Sequence, residues 1–182
     1  MRTRWLRDAE RIDLAVYAAI AATPTPALDG AMSRLTVAAN RSQLWLAIAA
    51  LLAVGRGAPG RRAAGAGVAS IAAASAVVNG AIKPLGRRRR PAPGDELALA
   101  RRVRMPASTS FPSGHAASAF AFATAVGHVL PREAVAVRAL AALVAYSRVH
   151  TGVHYPGDVV AGSLLGGAVG QLTHHALEAR TS

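Results

Sequence analysis

The chain contains no cysteine, which excludes disulfides and any thiolate metal site. Aromatic residues are scarce, 4% of 182 positions, and no basic helix is interleaved with them. That pattern argues against nucleic acid as a partner. Acidic residues are scarce too: 9 Asp+Glu stand against 21 Lys+Arg, a formal net charge of +12. Such an excess suits an anionic partner, either acidic lipid headgroups or a phosphate substrate. Charged residues of both signs make up 16%, below the ~25% of an ordinary soluble domain. Neither strand alternation nor a repeat period is present.

What fills the chain is Ala, Val and Leu, within a hydrophobic share of 52%. The length implies one domain over 1–182, with 1–41 as peripheral amphipathic helices and 42–178 as the core. Arg2, Arg4, Arg7 and Arg11 precede a short apolar run, Leu14 to Ala22. A signal peptide has a similar outline, but Asp8, Glu10 and Asp13 interrupt it. A retained amphipathic or weakly spanning helix is expected. Thr23-Pro24-Thr25-Pro26 breaks it. Leu28, Met32, Leu35 and Ala39 then recur at helical spacing, as in a helix on the membrane surface.

The apolar runs that follow are Gln43–Val54, Ala63–Ile82, Ala116–Leu130, Ala134–Tyr146 and Val159–Leu172. Ala63–Ile82 has no charge for twenty residues, enough to cross a bilayer core of ~30 Å. Its Gly and Ala residues permit close helix approach. The fold class expected is all-α, an integral membrane bundle of about six helices. Several runs are short for a span, so a soluble Ala-rich bundle is the structural alternative.

Three polar stretches interrupt this background. Lys83–Pro91 reads Lys-Pro-Leu-Gly-Arg-Arg-Arg-Arg-Pro. Arg87, Arg88 and Arg89 read as a basic cluster that meets headgroups. Lys83 and Arg90 suit phosphate oxygens, the first as a point charge and the second as a planar fork. Pro112, Ser113, Gly114 and His115 stand immediately before an apolar helix. A helix N-terminus offers free N–H groups to an anion. There Ser113 adds a hydroxyl donor or serves as an N-cap, and Gly114 admits the anion to the backbone. His115 falls in the first turn.

The third stretch, Ser147–Asp158, packs Arg148, His150, His154 and Asp158 into twelve residues. So dense a polar cluster is costly among apolar helices unless its members pair with each other or with a ligand. A polar loop with a capping histidine is the plainer reading. Arg148 can add a phosphate contact. Asp158 is close enough in sequence to accept from one ring nitrogen of His154, leaving the other free to attack phosphorus. Together the three stretches hold the parts of a metal-free phosphoryl-transfer site: cations and N–H groups for the phosphate, one histidine nucleophile and one histidine acid.

At these residues the sequence resembles the type 2 phosphatidic acid phosphatase (PAP2) superfamily, marked by K-x6-RP, PSGH and SR-x5-H-x3-D. Lys83, Arg90 and Pro91 match the first element, Pro112 to His115 the second, and Ser147, Arg148, His154 and Asp158 the third. The resemblance implies that His154 attacks phosphorus to form a phosphohistidine and that Asp158 orients it. His115 would protonate the leaving group and then activate water. Lys83, Arg90, Ser113, Gly114 and Arg148 would hold the phosphate, with no metal and no cofactor. His150 lies outside the pattern, as a neighbour of the site or a surface residue, with contact to a headgroup also open. The implied partners are a membrane and a lipid phosphate. Candidates are phosphatidic acid, phosphatidylglycerol phosphate, a polyprenyl diphosphate or a decaprenylphosphoryl-phosphoribose. The expected place is the bacterial plasma membrane, multi-pass, with the site on the extracytoplasmic face; the oligomeric state stays open. A vanadium-dependent haloperoxidase and a non-catalytic basic membrane-binding protein are the competing readings.

Overall fold

The computed structural model describes residues 4–92 and 99–180. Arg2 and residues 93–98 of the polar connection lie outside the described residues. Within them the chain forms seven α-helices and no strand. These are α1 (Arg4–Ala22), α2 (Pro26–Ala38), α3 (Gln43–Gly55), α4 (Gly57–Ser75), α5 (Gly114–Val129), α6 (Pro131–His150) and α7 (Pro156–Glu178). The all-α expectation holds. The count is seven rather than about six, because both N-terminal segments and all five apolar runs fold separately.

Local chemistry sets the boundaries. Pro26, Pro131 and Pro156 open α2, α6 and α7, where a missing N–H costs nothing. Ser113 caps α5, its Oγ accepting from Ala116 N at 3.4 Å. Between α2 and α3 the backbone kinks at Arg41 and Ser42, both left-handed with φ of 52° and 60°. Past Ser75, α4 widens into a π-helical stretch, Ala76–Ile82, and closes in a tight turn at Lys83–Leu85.

Among the described residues, Gly57–Leu85 is the one helix long and apolar enough to cross a membrane. The α2 and α3 segments meet that test only as a pair, bent by 64°. This matches the charge-free run read from the sequence.

The centre of the bundle is α5. Ala116, Ala119, Ala121, Phe122, Ala123, Ala125 and Val126 are all fully buried. Phe122 meets Trp45 of α3 with ring centroids 5.6 Å apart. On another side α7 runs along α5 with three glycines at its closest approach. A Cβ on Gly162, Gly166 or Gly170 would lie 2.4, 2.1 or 2.6 Å from the carbonyl oxygens of Ser113, Ala117 and Ala121. The two backbones touch, as small residues allow in apolar bundles. This contact fixes the start of α5, with His115, beside the start of α7, with Asp158. Ser113 N donates to Asp158 O at 2.9 Å across the seam.

Candidate active site

The three polar stretches converge at one end of the bundle. The end of α4 brings Lys83, the segment after it brings Arg90, the start of α5 brings Gly114 and His115, and the end of α6 brings Arg148. The turn before α7 brings His154. All six line one cavity of about 210 Å³, together with Arg41, Ser42, Ser75, Asn79, Ser108 and Ser118. No described carboxylate stands on its wall. Ser113 is the exception among the phosphate-binding candidates: it is fully buried as the α5 cap and off the cavity wall.

The segment Gly86–Pro91 explains which arginines enter. It leaves the turn in extended backbone, Gly86 having ψ of 143°. Side chains alternate along such a segment. Arg88 and Arg90 turn inward, while Arg87 and Arg89 are exposed. Arg90 is then held on every side. It donates to Ser108 O at 2.8 Å, Ser108 Oγ at 3.1 Å, Thr109 O at 3.2 Å and Val153 O at 2.9 Å. Lys83 Nζ donates to the same Ser108 Oγ at 3.2 Å. Arg148 is buried and donates from Nη1 to Thr36 Oγ1. Its Nε, also buried, has no partner among the described residues. A buried donor left unpaired is costly, and Arg148 bears it on the wall of a cavity suited to an anion.

His154 is 1% exposed. Arg90 Nη1 lies 3.0 Å from its Nε2. A guanidinium can only donate, so Nε2 of the neutral ring is the acceptor and the proton sits on Nδ1. That proton faces Ser110 Oγ at 3.4 Å and Asp158 Oδ2 at 3.6 Å. The second distance exceeds a hydrogen bond. Ser110 therefore stands between histidine and carboxylate, donating to Asp158 Oδ2 at 2.5 Å. The direct His154–Asp158 hydrogen bond expected from spacing is replaced by this three-membered arrangement. Burial, chiefly, and then nearby Arg90 and Arg148 push His154 down to about 4, against the upward pull of Asp158. The ring is neutral at pH 7, with a lone pair on Nε2.

Asp158 itself is fully buried and accepts from Arg88 Nη1 at 2.8 Å and from Tyr155 N at 3.0 Å. Arg88 also donates to Asp13 of α1 and lies over the Tyr155 ring at 4.4 Å. Burial works against its charge, but Asp13 and Asp158 hold it more firmly protonated than an ordinary arginine. Arg88 is thus an internal cation, not the headgroup contact expected of it. His115 Nε2 is 2.9 Å from Asn40 Oδ1, at the α2–α3 kink.

His150 is neither at the surface nor at the cavity. It is 1% exposed, with Nε2 3.1 Å from Asp29 Oδ1 and Nδ1 3.3 Å from Tyr146 Oη. Asp29 also accepts from Arg101 Nε at 2.8 Å and from Thr25 Oγ1 at 2.9 Å. This second buried cluster ties the polar connection to α2 and α6. Sequence reasoning missed Asn40, Ser108, Ser110, Asp13 and the inward role of Arg88. For Arg88 and Arg90 the period of two was the available signal.

The pattern of the PAP2 superfamily matches residues 64–182, well over half of the chain. The chain belongs to that superfamily. Among PAP2 relatives, the decaprenylphosphoryl-5-phosphoribose phosphatase of Mycobacterium tuberculosis (strain ATCC 25618 / H37Rv) is 43% identical over 134 residues. The match covers 70% of this chain and 68% of that protein. The crystal structure of Aquifex aeolicus LpxE superposes with a TM-score of 0.72 at 25% identity, covering 88% of this chain and 93% of that one. The transmembrane PAP2 type phosphatidylglycerolphosphate phosphatase from Bacillus subtilis gives 0.70 at 23% identity, covering 97% and 88%, and shows the shared fold. This PAP2 chain is a phosphatase.

Proposed function

We propose that this PAP2 phosphatase removes the terminal phosphate of a polyprenylphosphoryl sugar phosphate, the substrate class named for its mycobacterial relative. One observation carries the chemistry. His154 lines a cavity whose other polar groups include Lys83, Arg90 and Arg148, and its Nε2 accepts from Arg90 Nη1 at 3.0 Å; a phosphate oxygen that takes over that Arg90 hydrogen frees the lone pair. A phosphate held by these cations presents phosphorus to Nε2. The N–P bond forms as the P–O bond to the sugar breaks, and His115 gives its proton to the departing oxygen. The incoming dianion favours the protonated form of His115. Water then loses a proton to His115 and attacks the phosphohistidine, the P–N bond breaks and inorganic phosphate leaves. Asp158, through Ser110, keeps the Nδ1 proton in place while charge builds on the ring.

Magnitudes suit these roles. An acid at the leaving group contributes about 10²–10⁴-fold. Each preorganised cation or N–H on the transferring oxygens adds about 10²–10³-fold. In this proposal Gly114 lets phosphate near the α5 N-terminus, and Ser113 acts by capping that helix.

We further infer several spans, with the site on the extracytoplasmic face. Seven arginines, Arg87–Arg90, Arg101, Arg102 and Arg104, flank the site and would pull it inward by the positive-inside rule. At least three of them have partners inside the protein: Arg88 and Arg101 in ion pairs with Asp158 and Asp29, and Arg90 at His154. The opposite turns carry Arg56, Arg61, Arg62 and Arg132, all exposed.

The test is phosphate release by detergent-purified protein, with EDTA present, from farnesylphosphoryl-5-phosphoribose, phosphatidic acid, phosphatidylglycerol phosphate and farnesyl diphosphate. Release from the phosphoribose lipid by wild type and none by His154→Ala is expected. Preference for a glycerolipid would overturn the substrate class. Activity retained in His154→Ala would overturn the nucleophile, and loss in EDTA would overturn a metal-free reaction.

A further inference from the structure

α1 begins as a peripheral amphipathic helix, yet one of its carboxylates reaches the arginine that holds Asp158 behind His154. Asp13 is 9% exposed. Its Oδ1 accepts from Gly157 N at 2.6 Å, and its Oδ2 accepts from Arg88 Nη2. The other guanidinium nitrogen, Nη1, donates to Asp158 Oδ1 at 2.8 Å. One arginine thus joins a carboxylate of α1 to the carboxylate behind His154. Its plane is set by the Tyr155 ring beneath it, at 4.4 Å, and Tyr155 is in turn packed edge-on by Tyr17 of α1, at 5.4 Å. The Arg88 backbone also takes part: its carbonyl accepts from Ser110 N at 2.9 Å. Ser110 is the residue between Asp158 and His154. Arg88 therefore fixes both members of the relay behind the nucleophile, one by its side chain and one by its main chain. Close approach of Asp13 needs Gly157, since a Cβ there would lie 3.1 Å from its Oδ2.

We propose that Arg88 and Asp13 are positioning residues for the reaction, and that α1 is part of the active site through them. The proposal rests on His154 being the nucleophile and deepens that reading. Neither residue is on the phosphate cavity wall. Their effect passes through Asp158 Oδ1, whose fixed geometry leaves Oδ2 for Ser110 and the Nδ1 proton. A residue acting this way changes the chemical step and its acid limb, not the binding of phosphate.

The charged and titratable groups around the His154–Asp158 pair are Arg88, Arg90, Arg148, Lys83, His115, Tyr155 and Asp13. Removing the Arg88 cation favours the protonated form of the pair, so the acid limb of kcat/KM moves to higher pH. Removing the Asp13 charge leaves Arg88 less neutralised, so the limb moves to lower pH. Opposite shifts from two touching residues are a signature that lost packing does not produce.

The experiment compares Arg88→Gln, Arg88→Lys, Asp13→Asn and the Asp13→Asn/Arg88→Gln pair with wild type and His154→Ala. The full-length, detergent-purified proteins are assayed on farnesylphosphoryl-5-phosphoribose and on p-nitrophenyl phosphate. Arg88→Gln should lower kcat about 10–100-fold with KM within about twofold, on the scale of losing a supporting partner of an active group. Asp13→Asn should lower it less, and the pair should be no worse than Arg88→Gln alone. Arg88→Lys keeps the charge but not the two-armed geometry, so kcat falls while the limb stays. Unchanged kcat and limb in Arg88→Gln, beside an inactive His154→Ala, would overturn the proposal and leave the nucleophile standing. Loss of folded protein without a limb shift in any variant would overturn it too. If Arg88→Gln does not fold, the downward shift in Asp13→Asn decides: its presence supports the proposal and its absence sinks it. A fully active His154→Ala would instead remove the underlying reading.

Discussion

His150 and His154 are four residues apart, equally buried, and each lies near an aspartate and an arginine. They do opposite things. Around His150, Asp29 takes bonds from Arg101, Thr25 and the ring itself, and the second ring nitrogen faces Tyr146. Both ring nitrogens and the arginine are answered by the protein, and the cluster fastens a loop to two helices. Around His154 the answering is incomplete. His154 and Arg148 line a cavity with no described acid on its wall; the ring's Nε2 has only the Arg90 guanidinium, which lines the same cavity, and Arg148 Nε has no partner among the described residues. A polar network closed on itself holds structure together. One left open to a cavity is made to hold something else.

The sharpest way to break this comparison is to remove each ring. His154→Ala should lower phosphate release by more than about 10³-fold with little change in melting temperature. His150→Ala should do the reverse: turnover within about tenfold and a melting point lowered by several degrees. Equal losses of activity would erase the distinction. The two arginines should divide in the same way, with smaller effect. Arg148→Ala should cost about 10²–10³-fold in kcat/KM, the scale of one lost oxyanion donor. Arg101→Ala should show chiefly in thermal unfolding.

The smallest effect is the pH profile. His154 binds a proton only below about 4, and the protonated ring cannot attack. The acid limb of kcat/KM should therefore lie near pH 4, not near the ~6.5 of a free imidazole. The same depression makes the unfolded chain bind more protons between about 4 and 6.5, so stability should fall as pH drops through that window. A limb near 6.5 would mean that the ring is more solvated than its burial implies.

Much of this was legible in the sequence, because the chemistry needs given residue types at helix starts. Pro112 to His115 announces a capped helix start, and the charge-free run before Lys83 announces a helix long and apolar enough to cross a membrane. What could not be read are the partners. Asp13 and Arg88 are 75 residues apart, and Asn40 and His115 are also 75 apart. No local pattern encodes either contact. Four consecutive arginines look alike until the chain is known to be extended there, when alternate ones turn in and out. His150 misled because nearness in sequence is not nearness in space: α6 ends at His150, and the turn before Pro156 carries His154 to the other side.

The π-helical stretch at the end of α4 has a consequence for what this chain can tolerate. In a regular α-helix, residues eight apart drift by about 80° around the axis, at about 100° per residue. Ser75, Asn79 and Lys83 nevertheless share one side of the cavity, and Asn79 Nδ2 donates to Ser75 Oγ at 3.0 Å. The wider turns of Ala76–Ile82 take up the difference, acting as a spacer that sets the phase of the lysine. Losing one residue of that stretch would let the helix regularise with Lys83 seven positions after Ser75, within about 20° of the same side, so the lysine would keep its phase. On the proposed role of Lys83, the site would therefore survive a one-residue loss that would turn the lysine by about 100° in a helix that was regular to begin with.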